Sequence, residues 1–126
     1  MQDLRGESDE NAVRMMGGFG GGIGGMGSVC GAIIGAVAAL GAGRGKGTLE
    51  EKEDRKLFPL CAEVYRRFAG EIEVSPFCRD ITGIDFTKPE QVKLYRESLD
   101  KTGRCVTLVA KTAAMVSEII EREAPR

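Results

Sequence analysis

The chain of 126 residues contains no histidine and no tryptophan, and aromatic residues make up only 6% of it. Without histidine there can be no histidine general base, no Cys–His nucleophile pair, no histidine-ligated haem and no mixed Cys/His zinc site. The chain also lacks a CxxC pair and a CxxCH haem-attachment sequence. Redox or metal chemistry must therefore use cysteine, alone or with carboxylates.

Neither sign of charge dominates, since 18 basic and 19 acidic residues give a net charge of -1. Balanced charge and scarce aromatic rings offer nothing to phosphates or bases, so we expect no nucleic-acid partner. The first ten residues are too charged for a secretory signal, which favours a cytoplasmic protein with reduced thiols. We expect residues 1–10 to be a mobile N-terminus and residues 11–126 to form a single helical domain.

The most unusual stretch is 17–43, which carries no charge and holds most of the 18 glycines. Up to Gly27 it has no periodicity and predicts a loop with backbone angles that favour glycine. Ser28 is the expected N-cap of a helix that reaches about Leu40 and has Cys30 in its first turn. Glycines at four-residue spacing share one helical face that a neighbour can approach closely: Gly27, Gly31 and Gly35.

Two other interpretations of this stretch come from its glycines and its lack of charge. Gly22, Gly24 and Gly27 form a GxGxxG pattern, which makes them candidates for binding a dinucleotide or for an anion nest. The dinucleotide motif needs a preceding strand, and residues 11–16 do not have a strand pattern. The stretch is long enough to cross a membrane, but glycine-rich backbone would be poorly satisfied in lipid, so we expect no span.

Helical periodicity dominates the rest of the chain, and no strand pattern is convincing. A capping box at 48–51 predicts a helix with an apolar stripe from Leu57 to Phe68, and Pro59 predicts a kink in it. Ser75 and Pro76 predict a short helix that ends before Gly83. A second capping box, at 87–90, predicts a helix that carries Val92, Leu94, Tyr95 and Leu99, and the last helix spans about 104–123. We predict an all-α domain of about five helices, in which a glycine-rich loop leads into the first core helix.

The four cysteines fall into two kinds. Cys30, Cys78 and Cys105 each lie in the first turn of a predicted helix, whereas Cys61 lies on an apolar stripe. The positive end of a helix dipole lowers a thiol pKa from its usual value of about 8.5. Three such thiols suit an iron–sulfur or other thiolate-bound metal centre, or a dithiol that cycles with a disulfide. Each can also be a small buried hydrophobic residue, which is our interpretation of Cys61.

Two blocks around these cysteines form recognisable motifs. Cys30 begins Cys-Gly-Ala-Ile-Ile-Gly, and Cys78 begins Cys-Arg-Asp-Ile-Thr-Gly-Ile-Asp. The blocks resemble the CGAxxG signature and the second cysteine block of the C_GCAxxG_C_C family of redox-active proteins, and Cys105 matches that family's final cysteine. The resemblance implies redox or cluster chemistry at these three residues. The family's first cysteine, on an N-terminal helix, has no counterpart here, and Cys61 is not at a family position.

We therefore expect a cysteine-based redox protein that holds an iron–sulfur cluster or another thiolate-bound metal, and no haem. Cys30 is the expected most activated thiol, and Cys78 with Cys105 its co-ligands or a resolving pair. The redox partner protein is unknown and enzymatic activity stays open. The alternative is a non-catalytic helical interaction module, or a membrane-associated one, with structural cysteines. A missing N-terminal helix would leave apolar surface on 29–40, so we expect a homodimer.

Overall fold

The computed structural model describes residues 9–98 and 103–124. In these two ranges the chain forms six α-helices and no strand. The helices are α1 (Glu10–Met15), α2 (Gly31–Arg44), α3 (Leu57–Arg67), α4 (Cys78–Thr82), α5 (Pro89–Ser98) and α6 (Arg104–Arg122). A 3₁₀ turn, Gly17–Phe19, follows α1, and a π-helical turn, Phe68–Ile72, continues α3. The all-α prediction is confirmed, with six helices rather than five. The predicted mobile N-terminus falls almost entirely on residues outside the described ranges, as does Leu99.

Helices α2, α3 and α6 pack together and enclose the hydrophobic core. The sequence predicts this because each contributes apolar side chains at helical spacing. The buried side chains that form the core are Ile33, Ala36, Leu40, Leu57, Leu60, Val64, Phe68, Ile81, Leu108, Met115, Val116 and Ile119. Thr112 is also buried, and its hydroxyl donates to the Leu108 carbonyl at 2.7 Å, so its polar group is satisfied.

The apolar side of α2 is covered within the chain. Ile33, Ala36 and Leu40 are buried, and Val29 and Val37 pack half-buried against the same core. The apolar surface that we expected a second copy to cover is therefore occupied by α3 and α6. The homodimer stays a prediction without that reason behind it.

Helix α2 begins two residues later than a Ser28 N-cap predicts. Cys30 is the N-cap, because its carbonyl accepts the first helical hydrogen bonds, from Ile33 at 3.0 Å and from Ile34 at 3.3 Å. The helix also continues past Leu40 to Arg44, whose guanidinium donates to the Glu123 carbonyl on α6 at 3.1 Å. Both ends are set by long-range contacts that local propensity does not report.

The predicted capping box at 48–51 does not start a helix. The Glu51 carboxylate instead accepts from the Gly47 N–H at 2.7 Å, and α3 begins at Leu57. Pro59 is therefore the third residue of α3, in the first turn, where no helical N–H is lost and no kink results. The buried stripe along α3 and its π-helical continuation agrees with the prediction.

The remaining helix ends differ from the sequence predictions by small shifts. Helix α4 begins at Cys78, two residues after Pro76, while Gly83 closes it in the left-handed conformation (φ 67). Thr87 does not cap α5, since its hydroxyl donates to the Asp85 carboxylate. Helix α6 has the predicted bounds within one residue. No helix in the described ranges combines the length and apolarity needed to span a membrane.

Candidate thiol centre

The segments that carry Cys30 and Cys78 are joined backbone to backbone. Val29 and Phe77 form an isolated antiparallel β-bridge. The Cys30 N–H donates to the Pro76 carbonyl at 2.8 Å, and the Cys78 N–H donates to the Ser28 carbonyl at 2.7 Å. In this pattern Cys30 and Cys78 are diagonal neighbours on one face of the bridge, a relation that corresponds to about 7–8 Å between residues, somewhat less between Cβ atoms. The bridge therefore points both thiols to the same side.

The third thiol, Cys105, lies in the first turn of α6, the helix that packs against α2. Burial is the main cause that raises the pKa of Cys78, and the charges of Cys30 and Cys105 raise it further. The charge of Cys105 also acts on Cys30. Each of the three thiols thus lies within electrostatic range of the other two, and all are free rather than disulfide-bonded.

Cys61 does not belong to this group. It packs half-buried against the hydrophobic core on α3, and burial alone raises the pKa of its thiol. No other cysteine contributes to that shift. This placement agrees with our interpretation of Cys61 as a core residue.

The pKa of Cys30 moves in the direction opposite to our expectation. Burial is the largest influence and raises it, while the N–H groups of Ala32 and Ile33 at the start of α2 lower it. The helix N-terminus therefore acts as predicted but does not outweigh burial. The expectation that Cys30 is activated by a lowered pKa is wrong for the thiol in this structure.

The glycine loop has the unusual backbone that its composition predicts. Five consecutive residues, Gly21 to Gly25, have φ between 59 and 75, and one of them is Ile23. The N–H groups of residues 23–28 donate to carbonyls of residues 18–23, for example Gly24 to Gly18 at 2.8 Å and Gly27 to Gly21 at 2.9 Å. Because these donors are used within the loop, they are not free to bind a phosphate or another anion. The N–H groups of Gly24 and Gly27 therefore serve loop geometry, and no strand precedes the three pattern glycines in the described chain.

Close approach between backbones explains several of the glycines. A Cβ added at Gly22 would lie 2.8 Å from the Cβ of Cys78, and one at Gly27 would lie 2.9 Å from the Cβ of Arg79. At Gly31 the nearest atom would be the Phe19 carbonyl oxygen, at 3.2 Å. The loop is thus pressed onto the start of both α2 and α4. The predicted shared helical face does not form, because Gly27 lies in the loop before α2. Gly27 and Gly31 each have a close neighbour, whereas a Cβ at Gly35 would meet only the Met16 side chain, at 4.0 Å.

Two polar groups that lie beside the thiols are not predicted from the sequence. The Tyr95 hydroxyl donates to the Cys105 sulfur, with an oxygen–sulfur distance of 3.4 Å. Burial and this contact raise the pKa of Tyr95. The Glu73 side chain is only 8% exposed, pairs with Arg104 and contributes a negative charge near Cys30. Tyr95 is visible in the sequence only as an apolar position of α5, and nothing local marks Glu73.

The donor set fits some metal groups better than others. A single tetrahedral ion with metal–sulfur bonds of about 2.3 Å needs sulfurs roughly 4 Å apart. Among the described residues no group of three or more Cys, Asp or Glu side chains can hold a metal ion in this geometry. An iron–sulfur cluster is larger than one ion and is held by thiolates, the donors that converge here. In donor type the three thiols fit an iron–sulfur cluster.

Comparison with known proteins gives one match. The model of a family described as "Putative redox-active protein (C_GCAxxG_C_C)" matches residues 1–119. The matched range includes all four cysteines and the whole glycine loop. No curated protein and no solved structure matches the chain.

Proposed function

The chain belongs to the C_GCAxxG_C_C family of redox-active proteins, and from this we propose that Cys30, Cys78 and Cys105 ligate an iron–sulfur cluster used for electron transfer. The observation that carries the proposal is the β-bridge that places Cys30 and Cys78 on one face, with Cys105 of α6 near enough for its charge to act on both thiols. The chain has no histidine, so sulfur is its only soft donor.

The electrostatics of the thiols favour a bound cationic group over three bare thiolates. Burial and like charge both raise the pKa of Cys78, so without a partner it is protonated at neutral pH. A coordinated metal deprotonates its thiol ligands outright and cancels their mutual repulsion. The same features that make these thiols poor free nucleophiles therefore suit them to ligation.

The protein's part in such a centre is to position and enclose the ligands. The β-bridge fixes the segments of Cys30 and Cys78, and Gly22 lets the loop close against Cys78. When bound, a cluster supplies one-electron transfer at a potential set by its charge, its hydrogen bonds and its exposure. Four thiolates are the usual ligand set, and this proposal assigns three.

A thiol–disulfide centre is the second candidate, supported by the fact that all three thiols are free. Cys30 and Cys78 would need a backbone shift to pair, because disulfides require Cβ atoms about 3.5–4.5 Å apart. Raised pKa values at both residues also slow thiolate attack. We therefore rank it below the cluster.

The proposal is tested by purification without oxygen and reconstitution with ferrous iron and sulfide. We expect wild type to retain iron and acid-labile sulfide and to gain a broad visible absorption. Replacement of Cys30, Cys78 or Cys105 by serine should in each case remove most of the iron. Cys61→Ser is the matched control and should keep it. Wild type without iron, or equal loss from the control, contradicts the proposal.

A further inference from the structure

Tyr95 on α5 contacts the thiol centre at Cys105. Its hydroxyl donates to the Cys105 sulfur at 3.4 Å, which is a hydrogen-bond distance for the large sulfur atom. The charges of Cys105, Cys78 and Cys30 all act on the phenol. A single hydroxyl thus has one thiol as its acceptor and two more nearby.

The Tyr95 ring packs against Phe86, which lies beside the glycine loop. Phe86 contacts Tyr95 edge to face, with ring centroids 5.0 Å apart and an interplanar angle of 79°. A Cβ added at Gly25 would lie 3.4 Å from the Phe86 Cβ, and one at Gly21 would lie 3.8 Å from the Phe86 ring. Phe86, Tyr95 and Cys105 therefore form a chain of contacts.

We propose that Tyr95 is a positioning residue for the thiol centre, which orients the Cys105 sulfur through its O–H and donates a hydrogen bond to that sulfur when a cluster is held. This inference rests on the proposed function. Hydrogen bonds to ligand sulfur stabilise the more negative, reduced form of a cluster and so raise its reduction potential. Partners that orient a ligand typically contribute about 10–100-fold to metal affinity.

The matched pair for the test is Tyr95→Phe and Tyr65→Phe. Each removes one hydroxyl, and these are the chain's two tyrosines. We expect Tyr95→Phe to lower the midpoint potential of the reconstituted cluster and to speed its loss to a chelator about tenfold. Tyr65→Phe should leave both unchanged. Equal behaviour of the two variants in both measurements overturns the inference, while the proposed function stands.

A second readout needs no cluster. Since the chain has no tryptophan, Tyr95 is the only strong emitter in a Tyr65→Phe background. We expect Cys105→Ala to change its fluorescence in the metal-free protein and Cys61→Ala to leave it unchanged. If wild type assembles no cluster, the proposed function fails. The contact between Tyr95 and Cys105 is then tested by the fluorescence of these two cysteine variants alone. Equal emission from the two cysteine variants then overturns the contact with Cys105.

Discussion

Replacement of Gly22 by alanine tests how closely the glycine loop must approach the thiol centre. The added Cβ would lie 2.5 Å from the Ser28 nitrogen, 2.6 Å from the Ser28 oxygen and 2.8 Å from the Cys78 Cβ. Two of these atoms are backbone and form the hydrogen bonds that hold the loop and α4 together. The clash therefore cannot be relieved by rotation of a side chain, and Cys78 must move.

Gly24→Ala is the control that separates this clash from backbone strain. Gly24 also has positive φ (59), but a Cβ there meets nothing within 4 Å. Left-handed backbone costs alanine about 1–2 kcal/mol, and a less flexible unfolded chain returns about 0.4–1 kcal/mol, so Gly24→Ala should lose between about 0 and 1.6 kcal/mol. Overpacking adds about 1–3 kcal/mol, so Gly22→Ala should lose about 1–3 kcal/mol more than Gly24→Ala.

The assay is urea unfolding followed by helical circular dichroism, with free energies of unfolding compared at equal m values. Gly22→Ala should also retain less iron after reconstitution than Gly24→Ala. If Gly22→Ala is no less stable than Gly24→Ala, the close packing of the loop on Cys78 is refuted.

Three further results are expected. Burial raises the pKa of the Cys30 thiol in the folded state. The protonated thiol therefore contributes its full stability below the unfolded-state pKa of about 8.5, and this contribution is lost as pH rises through the folded-state pKa. The metal-free wild type should therefore lose more unfolding free energy between pH 7.5 and 10 than Cys30→Ser. An equal loss in the two proteins would contradict the raised pKa of Cys30. Arg104→Ala leaves the carboxylate of Glu73 buried without its partner and should lower the free energy of unfolding in urea, though only slightly because Arg104 is itself 58% exposed. Phe68→Ala should cost about 3–5 kcal/mol by the same assay, because Phe68 is fully buried, whereas Phe58→Ala, at a 74% exposed position, should cost little.

Helix α6 and the apolar stripe of α3 are predictable from sequence because their periodicity agrees with the core that they form. Residues such as Leu60, Val64 and Ile119 are buried where helical spacing puts them. Gly83 closes α4 as its sequence position predicts, through a left-handed conformation. In these elements local preference and tertiary packing point the same way.

Helix starts are less predictable where a distant segment competes with the local cap. Ser28 has the chemistry of an N-cap, but its carbonyl accepts from the Cys78 N–H and its own N–H donates to Gly22. These partners keep residues 28–30 extended, so the helix starts at Gly31. The Glu51 carboxylate likewise bonds to Gly47 instead of capping a helix. A cap motif shows that a residue is able to begin a helix, but long-range hydrogen bonds determine whether the helix begins there.

The sequence predicts which cysteines form the candidate site, but it does not predict their burial or their polar neighbours. The motif resemblance selects Cys30, Cys78 and Cys105, but a helix dipole alone misjudges the pKa of Cys30, because burial depends on the whole fold. Tyr95 lies 10 residues before Cys105 in the chain, and Glu73 lies 43 residues after Cys30. Neither carries a sequence signal that separates it from ordinary helix or loop residues.

The central claim is that Cys30, Cys78 and Cys105 converge while Cys61 stays apart. The four cysteines fall in four different tryptic peptides, so cross-links between them can be assigned by mass. The direct measurement is reaction of the native, metal-free protein with a short thiol-to-thiol cross-linker, followed by trypsin and mass spectrometry. We predict cross-links among Cys30, Cys78 and Cys105 and none to Cys61. Cross-links from Cys61 to any of the three, or none among them, would contradict the account.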